Sequence, residues 1–174
     1  MMNAEVIRID HGVQSIRDPK LIALLSMPHT NPNMVKAYGH GQRIPLTCCP
    51  RSNYKLKVFK DPRHNNLLRL LDLNVCVTVN SDDPAYFGGY VNDNYFHLID
   101  LFNGDVNQKG KDKAKEEQVY RSVNVKDLFR LCRNGFEASV MDAERKREYM
   151  QRVADFFMVQ NKYLFDTCTK GSSL

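Results

Sequence analysis

Along "EVIRID" (Glu5 to Asp10), apolar Val6, Ile7 and Ile9 alternate with polar residues, and the pattern stops at "HG". A period near two predicts a short strand, with His11 at its C-terminal end. The period then changes. In "DPKLIALLS" (Asp18 to Ser26), Leu21, Ile22, Leu24 and Leu25 cluster behind Asp18 and Pro19. A capping Asp followed by proline at the first helical position predicts a helix there. From Met27 to Gln42, breakers at Pro28, Pro32, Gly39 and Gly41 interrupt every periodicity, and the segment reads as an inserted loop.

The same order returns. "RIPLTCCPRSN" (Arg43 to Asn53) predicts a strand from Ile44 to Cys49, ended by Pro50 and a Pro50–Asn53 turn. "NNLLRLLDLN" (Asn65 to Asn74) predicts a short helix with Asn74 as a left-handed C-terminal cap. "VCVTVN" (Val75 to Asn80) is almost wholly apolar or β-branched, as a strand buried on both faces should be. A longer helix is expected through Tyr95 to Phe102. Two amphipathic segments follow: Val125, Leu128, Phe129, Cys132 and Phe136 form one stripe, and Met150, Val153, Phe157 and Leu164 another. Both read as helices covering the sheet.

Strand and helix alternating three times predict βαβ units and a parallel sheet, within one domain over residues 1–174. Sites in such folds lie at the C-terminal ends of the strands. Here those ends carry His11, the Pro50–Asn53 turn, and Asp82 beside Asp83. Two adjacent carboxylates repel, and a turn can be made with one. They are either turn and helix cap, or one holds a metal and the other a substrate. His11 is likewise either a hydrogen-bonded turn residue or a member of a site.

Composition narrows the setting. With 43% hydrophobic and 26% charged residues, the chain has an ordinary globular make-up. No apolar run approaches the ~18 residues of a membrane span, and the N-terminus lacks a signal-peptide pattern, so a membrane is not an expected partner. The five cysteines (Cys48, Cys49, Cys76, Cys132, Cys168) lack CxxC spacing. They read as free, mostly buried thiols in a reducing compartment, which places the protein in the cytoplasm. The C-terminal "SSL" departs from a peroxisomal Ser-Lys-Leu address and reads as a frayed tail. The net charge of +5 is scattered, and the charged insertion over 104–118 interleaves lysines with acids. Such a run is a solvated loop, and nucleic acid is not an expected partner.

Together, "RIDHG" (Arg8 to Gly12), "IPLTCCPRSN" (Ile44 to Asn53), "LLRLLDLNVCVTVNSDDPAYFGGYVNDNY" (Leu67 to Tyr95) and "LCRNGFEASV" (Leu131 to Val140) resemble the adenosine/adenine deaminase family of zinc hydrolases. The residues after Asp-Asp-Pro are similar to the adenine deaminase branch. The resemblance implies a (β/α)8 barrel with one catalytic Zn2+ at its C-terminal rim, where water is activated to attack C6 of a purine and ammonia leaves. It implies Asp82 as a zinc ligand, Asp83 as the residue that hydrogen-bonds the purine, and His11 as the catalytic histidine beside the attacking water. Gly88 and Gly89 are given only backbone flexibility.

The family pattern also includes a His-x-His on the first barrel strand and a His-x-x-Glu on the fifth, and neither occurs in this chain. The strand before His11 corresponds to the sixth of eight. The chain therefore resembles the C-terminal part of a (β/α)8 TIM barrel: about three parallel strands with helices, then C-terminal helices. The implied reaction, adenine and water to hypoxanthine and ammonia, belongs to the complete enzyme, because one carboxylate cannot hold catalytic zinc. Adenosine is the alternative substrate. A non-catalytic fragment associating through its open sheet edge is the alternative of another class. His29, His40, His64 and His97 match no catalytic position and are expected on the surface or in loops.

Overall fold

The structure is a computed structural model that describes residues 6–28, 43–61, 64–103 and 121–170, the last ten as helical backbone only. The elements run β1 (Ile9–Asp10), a 3-10 turn (Val13–Arg17), α1 (Pro19–Ser26), β2 (Leu46–Cys48), α2 (Pro50–Lys55), α3 (Leu67–Asp72) and β3 (Val77–Val79). There follow α4 (Pro84–Phe87), α5 (Val91–Asn103), α6 (Val125–Glu137) and α7 (Ala143–Lys170). The three strands form one parallel sheet in the order β1-β2-β3. Parallel α/β architecture is thus what the chain adopts. His29, His40, the body of the Met27–Gln42 loop, the 104–118 insertion, and the side chains of Leu164 and Cys168 lie outside the described residues.

All three strands are shorter than the alternation predicts, and for the β1–β2 pair Pro45 supplies the reason. Ile9 N–H donates to the Pro45 carbonyl and His11 N–H to the Thr47 carbonyl. The next rung back would need an N–H from Pro45, which proline lacks. The ladder therefore starts at Ile9↔Leu46. On the other side, Leu46↔Val77, Thr47↔Thr78 and Cys48↔Val79 hold β3 in register. Alternation along the strands sets Asp10, Thr47 and Thr78 on one face and Ile9, Leu46 and Val77 on the other.

Leucine packing holds this sheet against its helices. α3 is a single hydrophobic plug: Leu67, Leu68, Leu70 and Leu71 are all buried, together with Leu25, Leu46, Val75, Val77, Leu98 and Leu131. Burying each such side chain contributes roughly 1.5–3 kcal/mol. The predicted caps are realised. Asp18 accepts from the N–H groups of Lys20 and Leu21 at the start of α1, and Asn74 takes a left-handed φ of 62° just past α3.

α6 departs from the expected stripe. Its fully buried residues are Asp127, Leu131 and Asn134, whereas Leu128, Phe129, Cys132 and Phe136 are half-buried and Val125 is exposed. The aromatic stripe packs on α7, not on the sheet: Phe129 meets Phe157 edge-on and Phe136 stacks on Tyr149. The buried face is mixed: Leu131 joins the core, and Asn134 completes main-chain bonding. Asn134 Nδ2 donates to the Val77 carbonyl on the outer edge of β3 at 2.9 Å. An apolar residue there would leave that carbonyl buried without a partner.

Asp127 does similar work at the head of α6. It forms a capping box with Asn124 and accepts from Arg121, whose guanidinium also reaches Asp72 at the end of α3. Burial pushes the Asp127 carboxyl upward, but the Arg121 and Asn124 bonds outweigh it and hold the group below the usual carboxylate range. A depressed carboxylate adds stability that is present above its unfolded value and lost as pH falls through its folded value. Arg121→Ala should therefore lower stability by about 1–3 kcal/mol at neutral pH, read by urea denaturation. The gap between the two proteins should narrow as pH falls below the ordinary aspartate value of about 3.9; a gap independent of pH would remove Asp127 from this role.

Candidate functional site

Parallel register brings the three strand ends level, and each end contributes one side chain to a common rim. β1 ends in His11, in a left-handed conformation (φ 58°), and Gly12 follows at φ 66°. This pair turns the chain sharply into the 3-10 helix. Any side chain at position 12 is strained, since a Cβ would lie 2.8 Å from Leu46 Cδ2 and the φ is positive. β3 ends through Asn80 and Ser81 in Asp82, also left-handed at φ 58°. Non-glycine residues with such φ are uncommon and pick out turns and sites. His11 Nε2 and Asp82 Oδ2 face each other at 3.7 Å, both partly open to solvent. His11 Nδ1 is buried without a hydrogen-bond partner.

The third strand end supplies a residue that sequence reasoning assigned only to the core. Cys49 follows β2 directly, and one donor atom from each of His11, Cys49 and Asp82 lies within 4.8 Å of the others. Its thiol donates to the Thr47 carbonyl at 3.4 Å. Burial first, then the Asp82 carboxylate, push this thiol up to about 12. Burial and Cys49 push its neighbour Cys48 up to about 12 as well. Neither is a thiolate nucleophile in this environment. The signal for Cys49 in the sequence was its position, the first residue beyond a strand of a parallel sheet, not its type.

The segment after Cys49 corrects another expectation. Pro50 does not end the chain's regular structure in a Pro50–Asn53 turn; it opens helix α2 at the first helical position, where a missing N–H costs nothing. Arg51 N–H donates to the buried Asn94 Oδ1 on α5, which ties α2 to the helix after the paired carboxylates. His97 is also not a surface or loop residue. It lies half-buried on α5 against Tyr54, and burial, then Arg51, lower its pKa.

The paired carboxylates divide their work. Asp82 faces His11, while Asp83 caps α4, its Oδ1 accepting from the N–H groups of Ala85 and Tyr86 at 3.1 and 3.3 Å. Both bonds fall on one oxygen of Asp83. Beyond it Gly88 and Gly89 carry positive φ, and a Cβ at Gly89 would lie 2.8 Å from Asp93 Cβ. Among the described residues, a concavity of about 700 Å³ between α6 and α7 is lined by Val125, Phe129, Phe157 and Met158, and an apolar groove of about 470 Å³ between α5, α6 and α7 is lined by Tyr95, Leu128, Phe136 and Phe157. Neither lining brings a carboxylate and a histidine together, as the rim does.

This arrangement can be compared with known proteins. The adenosine deaminase family model matches residues 1–156. An adenine deaminase of Trichlorobacter lovleyi is 37% identical over 153 residues, 88% of this chain and 35% of that protein. One of Paraburkholderia phytofirmans is 40% identical over 149 residues, 86% of this chain and 33% of that protein. The crystal structure of adenine deaminase from Arthrobacter aurescens superposes with a TM-score of 0.63 at 27% identity, over 86% of this chain and 36% of that one. A Burkhoderia ambifaria amidohydrolase solved with bound Zn shares the fold at a TM-score of 0.62 and 16% identity, over 92% of this chain and 36% of that one. The chain belongs to the adenosine deaminase family. It spans about a third of the length of the relatives it matches.

The rim predicts its own sensitivity. Gly12→Ala forces a side chain into Leu46 and a strained φ, and should cost about 1–2 kcal/mol. Two-dimensional NMR of the histidine side chains should show the His11 resonances displaced; an unmoved His11 would mean the turn does not aim it.

Proposed function

We propose that this chain forms the His11–Asp82–Asp83 portion of the active site of a zinc-dependent adenine deaminase, within a barrel of the relatives' full length. One observation carries the reading. The histidine and the carboxylate that the family motif pairs, 71 residues apart in sequence, are held face to face at 3.7 Å by two left-handed strand ends. The names of the relatives support adenine as the substrate.

The rim residues fit a metal. Asp82 offers a carboxylate oxygen at the open end of the sheet, and the unpartnered His11 Nδ1 marks a ring whose hydrogen bonding is incomplete without further groups. Asp82 would hold zinc, together with ligands from other barrel strands. When bound, the metal supplies Lewis-acid activation of water.

The chain's own residues then carry definite roles. His11, within reach of Asp82 and open to solvent on one side, accepts a proton from the attacking water, as a general base. Asp83 accepts a purine N–H through the carboxylate oxygen not engaged in capping α4, which orients the ring. The α4 cap fixes that carboxylate in place, so orientation is set before substrate arrives. The outer edge of β1 is where a further strand of a barrel would pair, while Asn134 already meets the Val77 carbonyl on the outer edge of β3.

Three outcomes follow. The chain alone should release no hypoxanthine from adenine with added zinc; robust turnover by pure material would overturn the reading. In a full-length barrel, Asp82→Ala should lose zinc and activity together, by metal analysis and assay. Asp83→Ala would also uncap α4 at a cost of about 1 kcal/mol, so Asp83→Asn, which keeps a capping oxygen, is the cleaner variant. It should retain zinc and fold while raising KM at least about tenfold; unchanged kinetics would remove Asp83 from the purine site.

A further inference from the structure

We infer that His11, Cys49 and Asp82 form a soft divalent-metal site that belongs to this chain by itself, with the Cys49 sulfur as one ligand. The ligand set, one nitrogen, one sulfur and one oxygen, differs from the single carboxylate that the family motif places here. It draws on two residues of the deaminase reading, His11 and Asp82, but concerns this chain without the other barrel strands and asks for no turnover.

The geometry comes from the sheet. Each of the three strand ends carries one donor, and the three donor atoms lie within 4.8 Å of one another. Ligands around a zinc-sized ion, at about 2.0–2.3 Å from it, sit somewhat closer together than that. The His11–Asp82 pair, at 3.7 Å, already has the needed separation. The remaining closure falls on the movable groups. The side chains of His11 and Asp82 are 43% and 27% exposed, whereas Cys49 is 4% exposed and held against β2. Two partly open side chains can therefore fold onto a fixed sulfur. The exposed side leaves a fourth position for water.

Sulfur decides the class of metal. A thiolate favours zinc, cadmium or cobalt over magnesium or calcium, which take oxygen ligands. Binding replaces the S–H bond by a metal–sulfur bond; the proton passes to solvent, nothing is oxidised, and the S–H···O bond to Thr47 is given up. The other cysteines are placed differently. Cys48 donates to the His11 carbonyl, Cys76 is buried, and Cys132 lies half-buried on α6.

The test is titration of the 174-residue chain with cobalt chloride and cadmium chloride, read by absorption and by competition with zinc chloride. The expected result is one equivalent bound, with a thiolate-to-metal charge-transfer band and the intense visible bands of four-coordinate cobalt. Cys49→Ser should abolish the charge-transfer band, while His11→Ala and Asp82→Asn should each weaken binding at least about tenfold. Cys132→Ser should change nothing. A band that survives Cys49→Ser, or affinity indifferent to both His11→Ala and Asp82→Asn, would overturn the site. Should Cys49→Ser fail to fold by circular dichroism, the cobalt spectrum of the unaltered chain decides. Sulfur charge transfer lost in Asp82→Asn supports the site, and a weak six-coordinate spectrum without it overturns it. Adenine turnover is assayed separately, so a chain that binds no metal leaves the full-length deaminase reading standing, and the converse also holds.

Discussion

Everything at the rim depends on the register of three parallel strands. Ile9, Leu46 and Val77 sit level across the sheet. The residues two or three places beyond them, His11, Cys49 and, past a two-residue extension, Asp82, consequently arrive at one height. Nothing local to any of these residues would bring them together. The leucine-rich α3 and the Asn134 bond to the Val77 carbonyl hold the outer strand in place, so the packing beneath the sheet also fixes the chemistry above it.

The carboxylate pair shows how one short turn can serve two demands. A left-handed residue ending a strand is poorly placed to cap an α-helix, because an N-cap typically has extended backbone. Two acids in succession resolve this: Asp82 takes φ 58°, and Asp83 takes the extended conformation of an N-cap. As turn and cap the pair is explained in full, and the same geometry is what the proposed site draws on. Asp82 makes the turn and faces His11, and Asp83 makes the cap through one of its two oxygens.

Much of this was legible in the sequence. The strand–helix alternation, the Asp18 cap, the left-handed Asn74 and the placing of His11 and Asp82 at strand ends follow from periodicity and turn chemistry. The family motif then sharpened the roles of His11, Asp82 and Asp83. What was not legible depended on three-dimensional neighbours. Pro50 looked like a terminator because proline ends strands and starts helices with equal ease. The α6 stripe pointed at α7, because hydrophobic periodicity reveals that a face is covered and not what covers it. Cys49 looked like core, since a buried thiol beside two open polar groups has the same local sequence as one among leucines.

Pro45 stands at the far end of the sheet from the rim, yet it governs what the rim contains. A parallel pair can in principle slide by two residues and keep the same faces inward. Sliding here would place the imino nitrogen of Pro45 where a rung requires a donor. The ladder thus has a defined zero point, and the strand lengths counted from it decide which residues emerge at the top. An insertion of one or two residues between Pro45 and Cys49 would leave composition, hydrophobicity and the helices intact. It would nonetheless lift a different side chain to the height of His11 and Asp82. The rim is in this sense measured out from the opposite end of the molecule, by a residue that never approaches it.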